Sequence, residues 1–124
     1  MSGEWPVDYH RRKAALLLDG LLCRLKFSVD DDFISLHVEV LGGEVLRETP
    51  WQRHVTLGFT GEIAPSLQRK VRKRWHNKVT KLRFDWVGSG GAGFINNCRL
   101  SRCQLVRVAK KLGYYRDRQL HISF

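Results

Sequence analysis

A chain of 124 residues is long enough for one domain around one ordinary core, and its 43% apolar and 27% charged content excludes wholesale disorder. No apolar run approaches the roughly 18 residues that span a bilayer. The three cysteines, Cys23, Cys98 and Cys103, include no C-x-x-C pair, so neither a disulfide framework nor a zinc site is expected.

A reducing, intracellular setting, cytoplasmic or nuclear, fits that cysteine usage. The net charge of +10 is unevenly placed. Residues 1–50 hold six Lys/Arg against nine Asp/Glu, net −3, whereas residues 51–124 hold sixteen against three, net +13. A basic second half implies an anionic partner, most often nucleic acid, here RNA or a nucleotide, and with no spanning apolar run no membrane is expected.

In chain order, residues 9–26 read as a helix, with Ala15, Leu18, Leu22 and Leu25 recurring at spacings of three and four and Asp8 as N-cap. Its apolar run is broken by Asp19 and Gly20 and lies too far in for a signal peptide. Asp30, Asp31 and Asp32 mark a solvated turn. "FISLHVEV" alternates as a half-buried strand, with His37 on the face opposite Ile34, Leu36 and Val38. Residues 51–60 alternate again. Trp51, Arg53, Val55, Leu57 and Phe59 fall on one face, with His54, Thr56 and Gly58 on the other.

Pro65 opens a second helix whose buried stripe is Leu67, Val71, Trp75 and Val79. Its other faces carry Arg69, Lys70, Arg72, Lys73, Arg74 and Lys78, and His76 reads as a surface residue. "KLRFDWV" reads as a strand and "GSGGAG" as a loop. "FINNCRL" and "CQLVRVAK" read as strand or strand–helix material. The terminal "RQLHISF" is a strand with Leu120, Ile122 and Phe124 inward and His121 and Ser123 outward. Strand-rich pairs with two helices and no regular βαβ alternation indicate an α+β fold in a single domain, 1–124.

Residues 88–93 satisfy G-x-G-x-x-G, but no helical apolar period follows, so a dinucleotide fingerprint is not supported. The histidines carry more. "HVTL" at His54 and "HISF" at His121 each set a hydroxyl two residues after the imidazole with an apolar residue between. In a strand, positions i and i+2 project together, so each pair points to one side while the apolar neighbours anchor the strand.

Two imidazoles and two hydroxyls suffice for phosphodiester chemistry. One neutral imidazole takes a proton from water or a ribose 2′-hydroxyl, and one imidazolium gives a proton to the leaving oxygen. Thr56 and Ser123 are placed to donate to the non-bridging phosphate oxygens, and the set needs no metal or other cofactor.

The two H-x-T/S motifs resemble those of the two-histidine (2H) phosphoesterase superfamily, which includes 2′,5′ RNA ligase-like proteins, cyclic phosphodiesterases and RNA 3′-end trimming enzymes. The resemblance runs from about residue 33 to residue 124, and "HVTLGFTG", followed by a helix, is its best-matched part. It implies two pseudo-symmetric lobes of antiparallel strands with packed helices around a central cleft. It makes His54 and His121 the catalytic residues and Thr56 and Ser123 the phosphate-binding ones. Aromatic residues near such clefts often stack on a base, and Trp51, Tyr114 and Tyr115 are the candidates. The 67-residue separation of the histidines is compact for the family, whose members commonly continue beyond the second motif. The alternative is a non-catalytic basic RNA-binding module with the same fold. A third reading makes both histidines structural and the charge a surface for a protein partner.

Overall fold

The computed structural model describes residues 7–42, 46–88, 94–95, 97–98, 104–114 and 120–124. Among them lie three α-helices and a four-stranded antiparallel sheet, an α+β arrangement. The chain begins with α1 (Val7–Asp19) and continues into β1 (Leu21–Val29) and β2 (Phe33–Val40). It then forms β3 (His54–Phe59), a 3₁₀ turn over Thr60–Glu62, α2 (Pro65–Trp75) and β4 (Val79–Leu82). The sheet order is β3-β2-β1-β4. Two short ladders follow: β5 (Phe84–Trp86) with β7 (Asn97–Cys98), and β6 (Phe94–Ile95) with the terminal β8 (Ile122–Ser123). Between β7 and β8 lies α3 (Gln104–Lys111).

The predicted first helix stops at Asp19. Gly20 has φ 135°, a conformation that glycine alone adopts readily, and an added Cβ would stand 2.7 Å from Lys81 Cε. Beyond it Leu21, Cys23 and Leu25 are fully buried on one face of β1, so the strand period takes over where a helix was expected. The stripe differs too: Leu18 and Leu22 are exposed, and α1 buries Tyr9, Lys13 and Leu17, four residues apart, instead. Asp8 lies inside the first turn of α1 rather than capping it.

The Asp30 turn forms as expected. Asp30 Oδ1 accepts the Asp32 and Phe33 N–H groups at 2.8 and 2.7 Å, and these bonds hold its carboxyl below the usual range. Helix α2 starts at Pro65 as read from the sequence and buries Val71 and Trp75, but it ends there, leaving Val79 exposed on β4. Residues 76–78 follow β1. The Asn77 N–H donates to the Leu25 carbonyl at 2.7 Å, and the Phe27 N–H donates to His76 Nδ1 at 3.1 Å. His76 is therefore exposed, as expected, and also accepts a backbone bond at the sheet edge.

The core forms on one side of the four-stranded sheet, from Leu21, Cys23, Leu25, Ile34, Leu36, Val38, Val55 and Leu57 packed with Leu17, Val71 and Trp75. Leu120, Ile122 and Phe124 join it, which is the inward face expected for the last strand. The opposite side of the sheet carries Arg24, Lys26, Ser35, His37, Glu39, His54 and Thr56, and most of it meets solvent.

Candidate active site on β3 and β8

Among the described residues β3 is an edge strand of the sheet, paired there with β2. Its core side holds Val55 and Leu57, both fully buried, so alternation turns His54 outward and leaves Thr56 half-buried on the same side. A bulge interrupts the register. Ser35 faces Thr56 and Ile34 faces Gly58, which leaves Leu57 as the extra residue. One face assignment changes with it. Gly58 turns to the core side, where an added Cβ would stand 2.6 Å from Ile63 Cδ1. Phe59 pairs with Phe33, ring centroids 5.5 Å apart, and packs against the core, its ring 5.6 Å from that of Tyr114.

His54 is oriented by its own backbone approach. Nδ1 lies 2.9 Å from the Gln52 carbonyl oxygen. A carbonyl only accepts, so Nδ1 is the nitrogen that donates, and in the neutral form of the ring the lone pair is on Nε2.

Across the ladder stands His37, directly opposite His54, with ring centroids 6.3 Å apart. Partial burial, then the charge of His54, pushes the His37 pKa below its ordinary value, and Asp30 opposes the shift. His37 was recognisable in the sequence as a residue of the second face. Its meeting with His54 follows only from the register.

The second motif sits at the other end of the chain and returns to the first. Strand β8 lies alongside β3, and the Trp51 indole Nε1–H donates to the Ser123 carbonyl at 3.1 Å. Arg53 reinforces the junction, its guanidinium carbon 5.4 Å from the centre of the Phe124 ring. Ile122 and Phe124 are buried, His121 is exposed and Ser123 is half-buried. Both H-x-T/S steps thus have their histidine in solvent and the residue between histidine and hydroxyl in the core.

The aromatic candidates divide. Trp51 precedes β3 rather than sitting in it, and it is 41% exposed while its N–H is engaged. Tyr114 is 6% exposed, so its ring belongs to the packing against Phe59 and offers no open platform. Tyr115 and most of the glycine-rich loop lie outside the described residues.

Among the described residues no three His, Cys, Asp or Glu side chains cluster as a metal site, and no helix is long and apolar enough to cross a membrane. Cys23 is free and buried, and burial pushes its thiol up to about 12. The exposed basic side chains of α2, Arg69, Lys70, Arg72, Lys73 and Arg74, give a charged face apart from the histidines. No protein-family model, no curated protein and no solved structure matches the chain.

Proposed function

We propose that this chain is a metal-independent phosphodiesterase of the two-histidine type, acting on RNA ends or cyclic nucleotides with a 2′,3′-cyclic phosphate or a 2′–5′ or 3′–5′ linkage. The observation that carries the reading is the bond from Trp51 to the Ser123 carbonyl. It ties the strand end bearing His121 and Ser123 to the entry of the strand bearing His54 and Thr56, with both histidines exposed.

In this reading the four-stranded sheet is one lobe and the short ladders with α3 are the other. The substrate phosphate sits in a cleft between β3 and β8. One imidazole removes the proton of the attacking hydroxyl or water while the other protonates the leaving oxygen. Thr56 and Ser123 donate to the non-bridging oxygens, where charge builds. The Nδ1-protonated state of His54 supports a role through Nε2.

The test is incubation with 2′,3′-cyclic nucleotides and with 2′–5′ and 3′–5′ oligonucleotides in EDTA. Turnover abolished by His54→Ala and by His121→Ala is the expected result. Absence of product with every substrate, or full activity of both variants, would overturn it.

A second reading is favoured by one observation, the unbroken basic face of α2: a non-catalytic RNA-binding module. Its mark is RNA binding that weakens steeply with salt and survives loss of either histidine.

A further inference from the structure

On the core side of the sheet, opposite the histidines, α2 presents a face of one sign. The helix packs on β1 through Val71 and Trp75, which leaves Arg69, Lys70, Arg72, Lys73 and Arg74 exposed. The 3.6-residue turn spreads these five over the arc away from the buried pair. From residue 63 to residue 84 the chain has eight Lys/Arg and no Asp or Glu. The salt bridges among the described residues, Arg24–Glu39 at 3.6 Å and Lys26–Glu39 at 3.4 Å, lie on β1 and β2, and none of the five α2 cations takes a carboxylate.

This arrangement opposes the helix that carries it. Arg69 stands three and four residues before Arg72 and Lys73, and Lys70 the same before Lys73 and Arg74, spacings at which like charges destabilise. The helix dipole favours cations in the last turn, which accounts for Arg72, Lys73 and Arg74 but not for Arg69 and Lys70. The N-terminus offers no compensation: Ala64 makes no side-chain cap, and the first turn has no acid. A bound polyanion would remove the repulsion.

The fold narrows the choice of polyanion. A membrane is a poor fit, because the apolar stripe that such a helix would insert is occupied in the core, with Val71 5% and Trp75 2% exposed. A single phosphate group reaches one or two of the five cations. A nucleic-acid strand carries a charge about every 3.4 Å and so engages the set.

We propose that the solvent face of α2 is a docking surface for the phosphate backbone of an RNA strand. Gln68, the one amide side chain of the helix, is half-buried and donates to the Ile63 carbonyl at 3.0 Å, so cations alone face the strand and hold it without regard to base sequence. The surface lies across the sheet from His37 and His54, and binding there is read without turnover. Where the histidines act as proposed, the surface selects RNA ends over free cyclic nucleotides as substrate, and that consequence alone rests on the proposed function.

The test is fluorescence anisotropy of a labelled 2′-O-methyl oligouridylate with the full chain, across a salt series. Saturable binding that weakens with salt is expected, and oligoadenylate should bind alike. Arg69→Gln/Lys70→Gln should lower the affinity about tenfold or more and make the log–log salt slope shallower by about 1.4, two contacts at about 0.7 each. Arg11→Gln/Arg12→Gln removes the same charge from exposed positions of α1 and should leave both quantities nearly unchanged. The α2 variant should keep its thermal midpoint, because it relieves like-charge pairs. Lys73→Gln provides an independent single variant that should also lose affinity. No saturable binding, equal losses in the α1 and α2 variants, or undiminished affinity in the α2 variants would overturn the proposal. So would competition by polyglutamate, phosphatidylserine vesicles or uridine monophosphate equal to that of unlabelled RNA. For the catalytic consequence, Arg69→Gln/Lys70→Gln should raise the KM of an RNA carrying a 2′,3′-cyclic end. No turnover by the parent chain would fail the proposed function and leave the binding result standing.

Discussion

His37 and His54 face each other across the β2–β3 ladder, their rings 6.3 Å apart between centres. Neighbouring imidazoles on one sheet face cannot both hold protons without mutual cost. The burden falls on His37, whose pKa is lowered first by burial and then by His54. NMR titration of the histidine rings should give His37 a midpoint below the ordinary 6.5 or so of imidazole. His54→Ala should raise that midpoint without restoring it fully, because the burial remains. The depressed value also has a thermodynamic sign. The unfolded chain binds a proton at His37 before the folded chain does, so stability falls as pH drops below the unfolded pKa. A His37 midpoint unmoved by His54→Ala would show that the two rings do not interact.

If the proposed chemistry holds, His54→Ala and His121→Ala should each lower kcat by about 10²–10⁴-fold, the usual worth of a positioned acid or base. Both side chains are exposed, so thermal midpoints should change little. Two imidazoles with opposite protonation requirements should give a bell-shaped dependence of kcat/KM on pH. Loss of activity accompanied by loss of folding would point to a structural role instead.

Trp51→Phe tests the junction between the motifs. The ring is kept in large part while the indole donor to the Ser123 carbonyl is lost, at a cost of about 1 kcal/mol by analogy with other intramolecular hydrogen bonds. If the bond holds β8 against β3, activity should fall well beyond the change in stability, and amide exchange at Ile122 and Ser123 should quicken. Unchanged exchange at both residues would show that Trp51 is not what holds the strand.

Much of this fold was legible in short-range pattern. The strand over residues 33–40 and the helix beginning at Pro65 follow from an unambiguous period and a strong start signal. The H-x-T/S steps declare their own faces, because each apolar residue between histidine and hydroxyl is buried. Where two periods fit the same residues, tertiary context decided. Leu22 and Leu25 suit a helix stripe, yet Gly20 ends the helix and Leu25 is buried from a strand. The bulge at Leu57 leaves no local signal, so alternation alone puts Gly58 on the side of His54, whereas it lies against Ile63 and Leu112 in the core. Lys13 had a readable signal that leucine spacing hid: Tyr9, Lys13 and Leu17 repeat every four residues, with a lysine in the stripe that is buried. The pairing of His37 with His54 depends on register across a long connection, which residue order alone does not supply.

The bulge makes a packing prediction of its own. A Cβ on Gly58 would stand 2.6 Å from Ile63 Cδ1 and 3.2 Å from Leu112 Cβ. Gly58→Ala should therefore destabilise by about 1–3 kcal/mol through overpacking. Ile63→Val removes the nearer atom, so the double variant should recover part of the loss relative to the sum of the single changes. Strict additivity in denaturant unfolding would mean that the strain arises elsewhere, at Leu112 or in the backbone.

Lys13→Met tests the cost of a buried charge. Replacing an ammonium that is buried without a hydrogen-bond partner by an apolar chain of similar length should raise stability, by about 1 kcal/mol. The gain must depend on pH. Because the folded-state pKa of Lys13 is lowered, the penalty for the charged form is present below that pKa. It disappears as pH rises towards the unfolded value near 10.5. The stability difference between variant and parent should narrow over that interval, measured by denaturant unfolding at a series of pH values. A variant less stable than the parent at every pH would mean that Lys13 contributes more through its contact with Tyr9 than its buried charge costs.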